Sequence, residues 1–333
     1  MSPRRKDATY SFILVILFVL LQCGCSAMKV KMGWRVDLNQ TPISSIQASL
    51  PKGLAIAPGE KSPLVVTLTQ PNGKVLFTEG QGAGKVMWKD LQVAASVVIA
   101  DEKGNLTLPE DPRASYGKVG HVTVTVPSQP SLHAELDVTI RYDIAYISDF
   151  SGRPGMSGMN GLDGRDGTSG STGSMDPNNP SPGGNGSDGT NGDVGKDGDP
   201  GGNGPPVDIR MALLSGKRPL LQVSVSAPAH RRLYLVDPQG GSLTVKADGG
   251  PRGSGGHGGR GGRGGAGGLG TPNGSSGRDG LDGRNGFDGP QGKGGLITVT
   301  YDPQVRPFLG ALHLSSKNGP AALYKEAPVS PLW

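Results

Sequence analysis

The chain holds two cysteines and five histidines, the side chains through which covalent or metal chemistry would first be sought. Both thiols, Cys23 and Cys25, stand in "QCGCSA", directly behind ten unbroken apolar residues from Phe12 to Leu21. His121, His133, His230, His257 and His313 are scattered without the spacing of a ligand set. No G-x-S-x-G nucleophile elbow and no H-E-x-x-H pair occurs. "GQGAGKVMW" offers glycine amides ahead of Lys85, as a phosphate cradle would. The spacing of such a cradle puts Glu79 where its first glycine belongs, and Val86 follows the lysine. The stretch reads instead as a loop before a strand holding Trp88. The expectation is a non-enzymatic protein with no cofactor and no metal.

Arg4, Arg5 and Lys6 precede the apolar run, which is too short for the roughly 20 residues that cross a bilayer but suits a secretory leader. With "QCGCSA" behind it, the N-terminus resembles a bacterial lipoprotein signal. The resemblance implies cleavage before a cysteine that then carries lipid. Cys25, with the small Gly24 before it, is the expected attachment site, and Cys23 the alternative. Ser26 after the cysteine implies an outer-membrane address. Residues 1–24 are then signal and 25–33 a tether. Their removal takes three basic groups and one acid, so the formal charge falls from +5 to +3. The basic balance therefore gives little support to nucleic acid as a partner.

The elements behind the tether are read from periodicity. Residues 34–148 show short β-branched segments: "PLVVTLTQPNGKVLFTE" is two apolar runs around Pro71-Asn72-Gly73, and "LDVTIRYDIAYI" alternates cleanly. About seven strands without helical periodicity predict an immunoglobulin-like β-sandwich. Glycine then recurs every third residue in four blocks: residues 152–173, 183–204, 250–268 and 274–295, here runs 1 to 4. A flexible linker has no reason to hold such a period. "DPNNPSP" and "TPN" join the runs in pairs, and residues 205–248 between the pairs read as four strands. The predicted fold is mostly β: the sandwich, then a bundle of four polyproline II helices over residues 149–303 interleaved with a small sheet, and a tail at 304–333.

A polyproline II helix has three residues per turn and no internal hydrogen bonds, so a period of three clears one face for a neighbouring backbone. Twenty-two residues extend roughly 68 Å at its rise. The runs resemble collagen-like bacterial surface proteins, which implies three chains, and also the glycine-rich snow-flea antifreeze protein, which implies one chain folded back on itself. Collagen has Pro near about 15 to 20 per cent; here the triplets hold only Pro154, Pro200, Pro205, Pro206, Pro251 and Pro290. Run 3 adds Gly255, Gly258, Gly261, Gly264 and Gly267, a second cleared face that collagen does not need. A monomeric bundle with run 3 most enclosed is expected in preference to a trimer.

The remaining positions form stripes. Met156, Met159 and Leu162 share one face of run 1, and Leu281 and Phe287 one of run 4; these could cover the sheet or a partner. Asn160, Asp163, Asp166 and Asp279, Asp282, Asp288 read as solvated acidic faces. His257, Arg260 and Arg263 make a positive stripe facing solvent or the acids, with anionic glycan as the alternative. "GGNGSD" at 183–188 matches the start of a calcium-binding nonapeptide, but the triplets continue through it. The function these readings favour is a lipid-anchored envelope protein, structural or adhesive, with the membrane and an envelope protein or glycan as partners. The alternatives are a glycan- or calcium-binding module and a trimeric collagen-like adhesin.

Overall fold

The computed structural model describes residues 30, 32–216 and 218–333. Cys23 and Cys25 lie outside the described residues, so the structure does not bear on the lipid site. Strand is the main regular structure, 31% of the chain against 6% helical. The chain divides into two compact units, one of residues up to Ile144 together with Trp333 and the other spanning Ala145–Leu332.

The first unit carries three sheets. Ser45–Ser49, Val65–Thr69 and Val75–Phe77 form one; Ala55–Ile56, Gln129–Ile140, Gly120–Val126 and Gln92–Ser96 a second; Lys61–Pro63, Asn105–Thr107 and Ile99–Ala100 a third. Pro71-Asn72-Gly73 makes the hairpin turn, with Gly73 at φ +81° and Thr69 paired to Val75. Period-two alternation places Val122, Val124 and Val126 wholly inside. Their side chains join Leu68, Leu76, Ile56, Val138 and Leu106 in a single core drawn from all three sheets.

"LDVTIRYDIAYI" is not one strand. Gln129–Ile140 stays in the first unit, residues 141–144 break the ladder, and Ala145–Asp149 opens the second unit by pairing parallel with Ser242–Lys246. Alternation alone could not show the break, because both halves keep the same period and only their partners differ.

The second unit has two sheets. Ala145–Asp149, Ser242–Lys246 and Leu312–Ser315 lie in a parallel three-stranded sheet. The other has the order His230–Val236, Leu220–Ala227, Val207–Leu214, Ile297–Tyr301, Leu323–Glu326. Tyr146 of the first sheet meets Tyr234 of the second with ring centroids 5.7 Å apart. Residues 304–333, read from sequence as a tail, instead supply part of a 3-10 segment, Pro303–Ala311, and two paired strands.

The runs grow out of these sheets. Run 1 follows Ala145–Asp149 and run 3 follows its partner Ser242–Lys246; run 2 enters Val207–Leu214 and run 4 its partner Ile297–Tyr301. The ladder continues without a gap: Phe150 N donates to Lys246 O, then Gly152 N to Asp248 O and Gly155 N to Pro251 O. Asp248, at the base of run 3, accepts from the Ser315 hydroxyl and the Lys317 amide. Desolvation opposes, but these bonds hold its carboxyl below the usual pKa.

The four runs contain no hydrogen-bonded helix, because their amides leave the run for neighbouring ones; among the described residues the longest helical segment is Pro303–Ala311. Among the described residues the first unit has ten strands in three sheets, beside the about seven of an immunoglobulin-like sandwich expected from sequence.

His121 and Asp137 are direct cross-strand partners, with Nδ1 2.8 Å from Oδ1. The hydrogen bond that the ring N–H donates to the Asp137 carboxylate raises the imidazole pKa above its ordinary value, against a smaller desolvation. A raised histidine stabilises the fold below its unfolded-state pKa, and this contribution fades as pH rises through the folded value. An NMR titration of His121 should have its midpoint above 6.5, and Asp137→Asn should bring it back down.

Candidate functional site

The four runs and their surface are where this chain departs most from an ordinary β protein. Each triplet is written Gly-x-y. None of the run glycines has φ in the left-handed region; the positive-φ glycines all lie in the first unit. Glycine is required in the runs by space, not by dihedral angle. A Cβ on Gly258 would overlap the carbonyl of Gly283, and one on Gly261 or Gly264 those of Gly280 and Gly277. Gly255 and Gly267 meet the carbonyls of Gly286 and Gly274 in the same way. The first glycine of each run 3 triplet is equally confined, Gly256 by Met159 O and Gly259 by Leu162 O.

Every register glycine donates its amide to another segment, at 2.7 to 3.0 Å. Run 1 glycines donate to run 3 in parallel, from Gly155 to Pro251 through Gly170 to Ala266. Run 2 glycines donate in the same manner to run 4, from Gly186 to Ser275 through Gly204 to Lys293. Run 3 glycines donate antiparallel to the x carbonyls of run 2, as Gly259 to Asp193, and run 4 glycines to run 3, as Gly283 to Gly259. The x amides of run 2 donate to run 1, as Lys196 to Met159. Runs 2 and 3 therefore each touch all the others, while runs 1 and 4 touch only those two.

The y side chains complete the network. Asn160, Asp163 and Asp166 of run 1 accept from the backbone amides of His257, Arg260 and Arg263. Asp288, Asn285, Asp282 and Asp279 of run 4 accept from Gly255, Gly258, Gly261 and Gly264. With the glycine bonds between them, eleven consecutive amides of run 3, Gly255 to Gly265, each reach an acceptor in another run. Run 2 serves run 4 similarly, with Asn185, Asp188, Asn191, Asp197 and Asn203 accepting from Ser275, Arg278, Leu281, Phe287 and Lys293. Where that row meets Pro290, which has no N–H, run 2 carries Pro200 in place of an acceptor. Where it meets the Arg284 amide, run 2 carries Val194.

The acidic stripes are thus not simply solvated faces: their carboxylates are fixed acceptors of charge-assisted bonds. A signal for this was present, since Asn or Asp recurs at y in phase with glycine across three runs. A charged row on one segment looks solvated until its neighbour is known. The positive stripe remains open. His257, Arg260 and Arg263 are exposed, and among the described residues neither guanidinium has an ion pair. The apolar stripes cover no sheet: Met156, Met159, Leu162, Leu281 and Phe287 are all largely exposed.

Other candidates have structural partners. Gly80–Gly82 is a single 3-10 turn, and Lys85 Nζ donates to Gly33 O. In "GGNGSD" the Asp188 carboxylate is taken by the Arg278 amide. Among the described residues no group of three or more His, Cys, Asp or Glu could hold a metal. A cleft of about 650 Å3 in the first unit is lined by Glu79, Trp88, Lys89 and Asp101 among others. Glu79 is bound to Arg35 at 2.7 Å and to the Trp88 amide, and Asp101 to Asn105 and the Lys103 amide, so both carboxylates serve the fold. No protein-family model matches the chain, and comparison with curated proteins gives no match.

Two substitutions test the network. Gly261→Val should cost more than about 3 kcal/mol in denaturant unfolding, because the clash is with backbone that cannot rotate away. Val194→Asn should raise stability by up to about 1 kcal/mol by giving the Arg284 amide an acceptor.

Proposed function

We propose that this is a non-enzymatic, lipid-anchored envelope protein in which a rigid polyproline II bundle serves a structural or adhesive role. The first unit is taken as an immunoglobulin-like support, a reading favoured by one core shared among its sheets. The observation that carries the proposal is the closed hydrogen bonding of the runs: every register glycine amide is used inside the chain, and none is left for a second or third strand. This favours a single-chain bundle over a collagen-like trimer. The three-residue period, the absence of bonds within a run and the cleared glycine faces all suit polyproline II geometry.

The anchor rests on the sequence around Cys25, with Cys23 as alternative, and implies the outer membrane as its address. Palmitate labelling tests it: label should be incorporated by the native chain and lost in Cys23→Ala/Cys25→Ala. A doubly substituted protein that stayed lipidated would sink the anchor. For the bundle, a trimer whose polyproline II circular dichroism vanished on dissociation would assign the runs to collagen.

A second reading has one observation behind it, the unpaired exposed row His257, Arg260 and Arg263. Spaced by one turn, such a row fits an anionic glycan. Retention on sulfated or phosphorylated glycan arrays, lost in Arg260→Ala/Arg263→Ala and weakened by salt, would favour it.

A further inference from the structure

The hydrogen bonds fix which way each row of side chains lies, and they divide the bundle surface in two. The y rows of runs 1 and 4 accept from run 3, so they lie on its side. The x rows of the same runs bond to run 2, so they flank it on the other side. All the large apolar side chains exposed along runs 1, 2 and 4 fall on the run 2 side. Met159 is 64% exposed, Leu162 74% and Phe287 79%, with Met156, Val194 and Leu281 alongside. Two rows of exposed large apolar side chains on one side of the bundle suit an interaction surface.

The two flanking rows are staggered by half a triplet. Lys196 N donates to Met159 O and Asp199 N to Met156 O, while Phe287 N donates to Asp197 and Gly198 N to Phe287 O. Phe287 therefore stands at a height between the two methionines. By the same measure Leu162, bonded to Asp193 N, stands between Leu281, bonded to Gly192 N, and Arg284, bonded to Gly195 N.

We propose that this face binds a second copy of the chain in a parallel two-fold dimer. An axis along the run 2 face, parallel to the runs, lays run 1 of one copy over run 4 of the other without changing height. Phe287 then enters the gap between Met156 and Met159 of its mate, giving sulfur-to-ring contacts, and Leu162 enters the gap between Leu281 and Arg284. At the centre Lys196 and Asp197, adjacent on run 2 and both exposed, meet their opposites with complementary charge. Each contact is made twice, as an isologous interface requires. The pairing rests on the hydrogen-bonded register of the runs and not on the lipid anchor, so palmitate labelling and the dimer assay fail independently.

Sedimentation equilibrium of the purified protein in mild detergent should show a dimer. Met159→Glu and Phe287→Glu should each weaken it by about tenfold or more while leaving the melting temperature unchanged. If either charge lowers the melting temperature, Met159→Gln and Phe287→Gln serve in its place. In a Cys23→Ser/Cys25→Ser background, Met159→Cys with Phe287→Cys should oxidise to a covalent dimer, and Ser169→Cys with Asp279→Cys, on the run 3 side, should not. A protein monomeric at every concentration, or a dimer indifferent to these variants, overturns the proposal. So does a monomer that binds anionic vesicles through Met159 and Phe287, which would assign the face to lipid.

Discussion

The second unit depends on one interaction, the hydrogen bond from a glycine amide in one run to a carbonyl in the next. An extended segment of period three makes no bonds to itself, so all its amides and carbonyls must be matched from outside or by water. Side chains at the contact would hold the backbones apart. Glycine removes that obstacle, at the cost of more conformational entropy on folding than any other residue. The bundle offsets that cost with density of bonding, since in run 3 even the amides between register glycines find acceptors.

This gives the two units different physics. The first is held by an apolar core of Val, Leu and Ile drawn from three sheets. In the runs no hydrophobic side chain is buried between Ser148 and Val207, or between Ala247 and Ile297. Their cohesion comes from hydrogen bonds, close backbone packing and the two sheets at their base. Those sheets set the register: the parallel pairing of Ala145–Asp149 with Ser242–Lys246 runs directly into the pairing of run 1 with run 3. A slip of one residue would place an x or y residue against a carbonyl where only glycine fits, so the sheet and the glycine period specify the same alignment.

Side chains freed from packing are available in rows about one turn apart along the hydrogen-bonded runs. The rows on the run 3 side are polar and partly consumed by the backbone, with His257, Arg260 and Arg263 left over. Those on the run 2 side are apolar with interspersed charge. One scaffold thus presents two chemically distinct faces.

Much of this was legible in the sequence. The period of three, the two hairpin joints, the order of strands and runs, and the doubled glycines from Gly255 to Gly267 are local patterns, and local patterns carry their own geometry. What sequence could not supply was adjacency. It could not show that Asp163 lies against the Arg260 amide, 97 residues away, rather than in water. Nor could it show that residues 141–144 end one unit, that residues after 304 return as strands, or that Met159 and Phe287 flank the same run. Periodicity determines which face of a segment is cleared; only the folded chain decides which neighbour fills it, because that choice is made by backbone groups common to every residue.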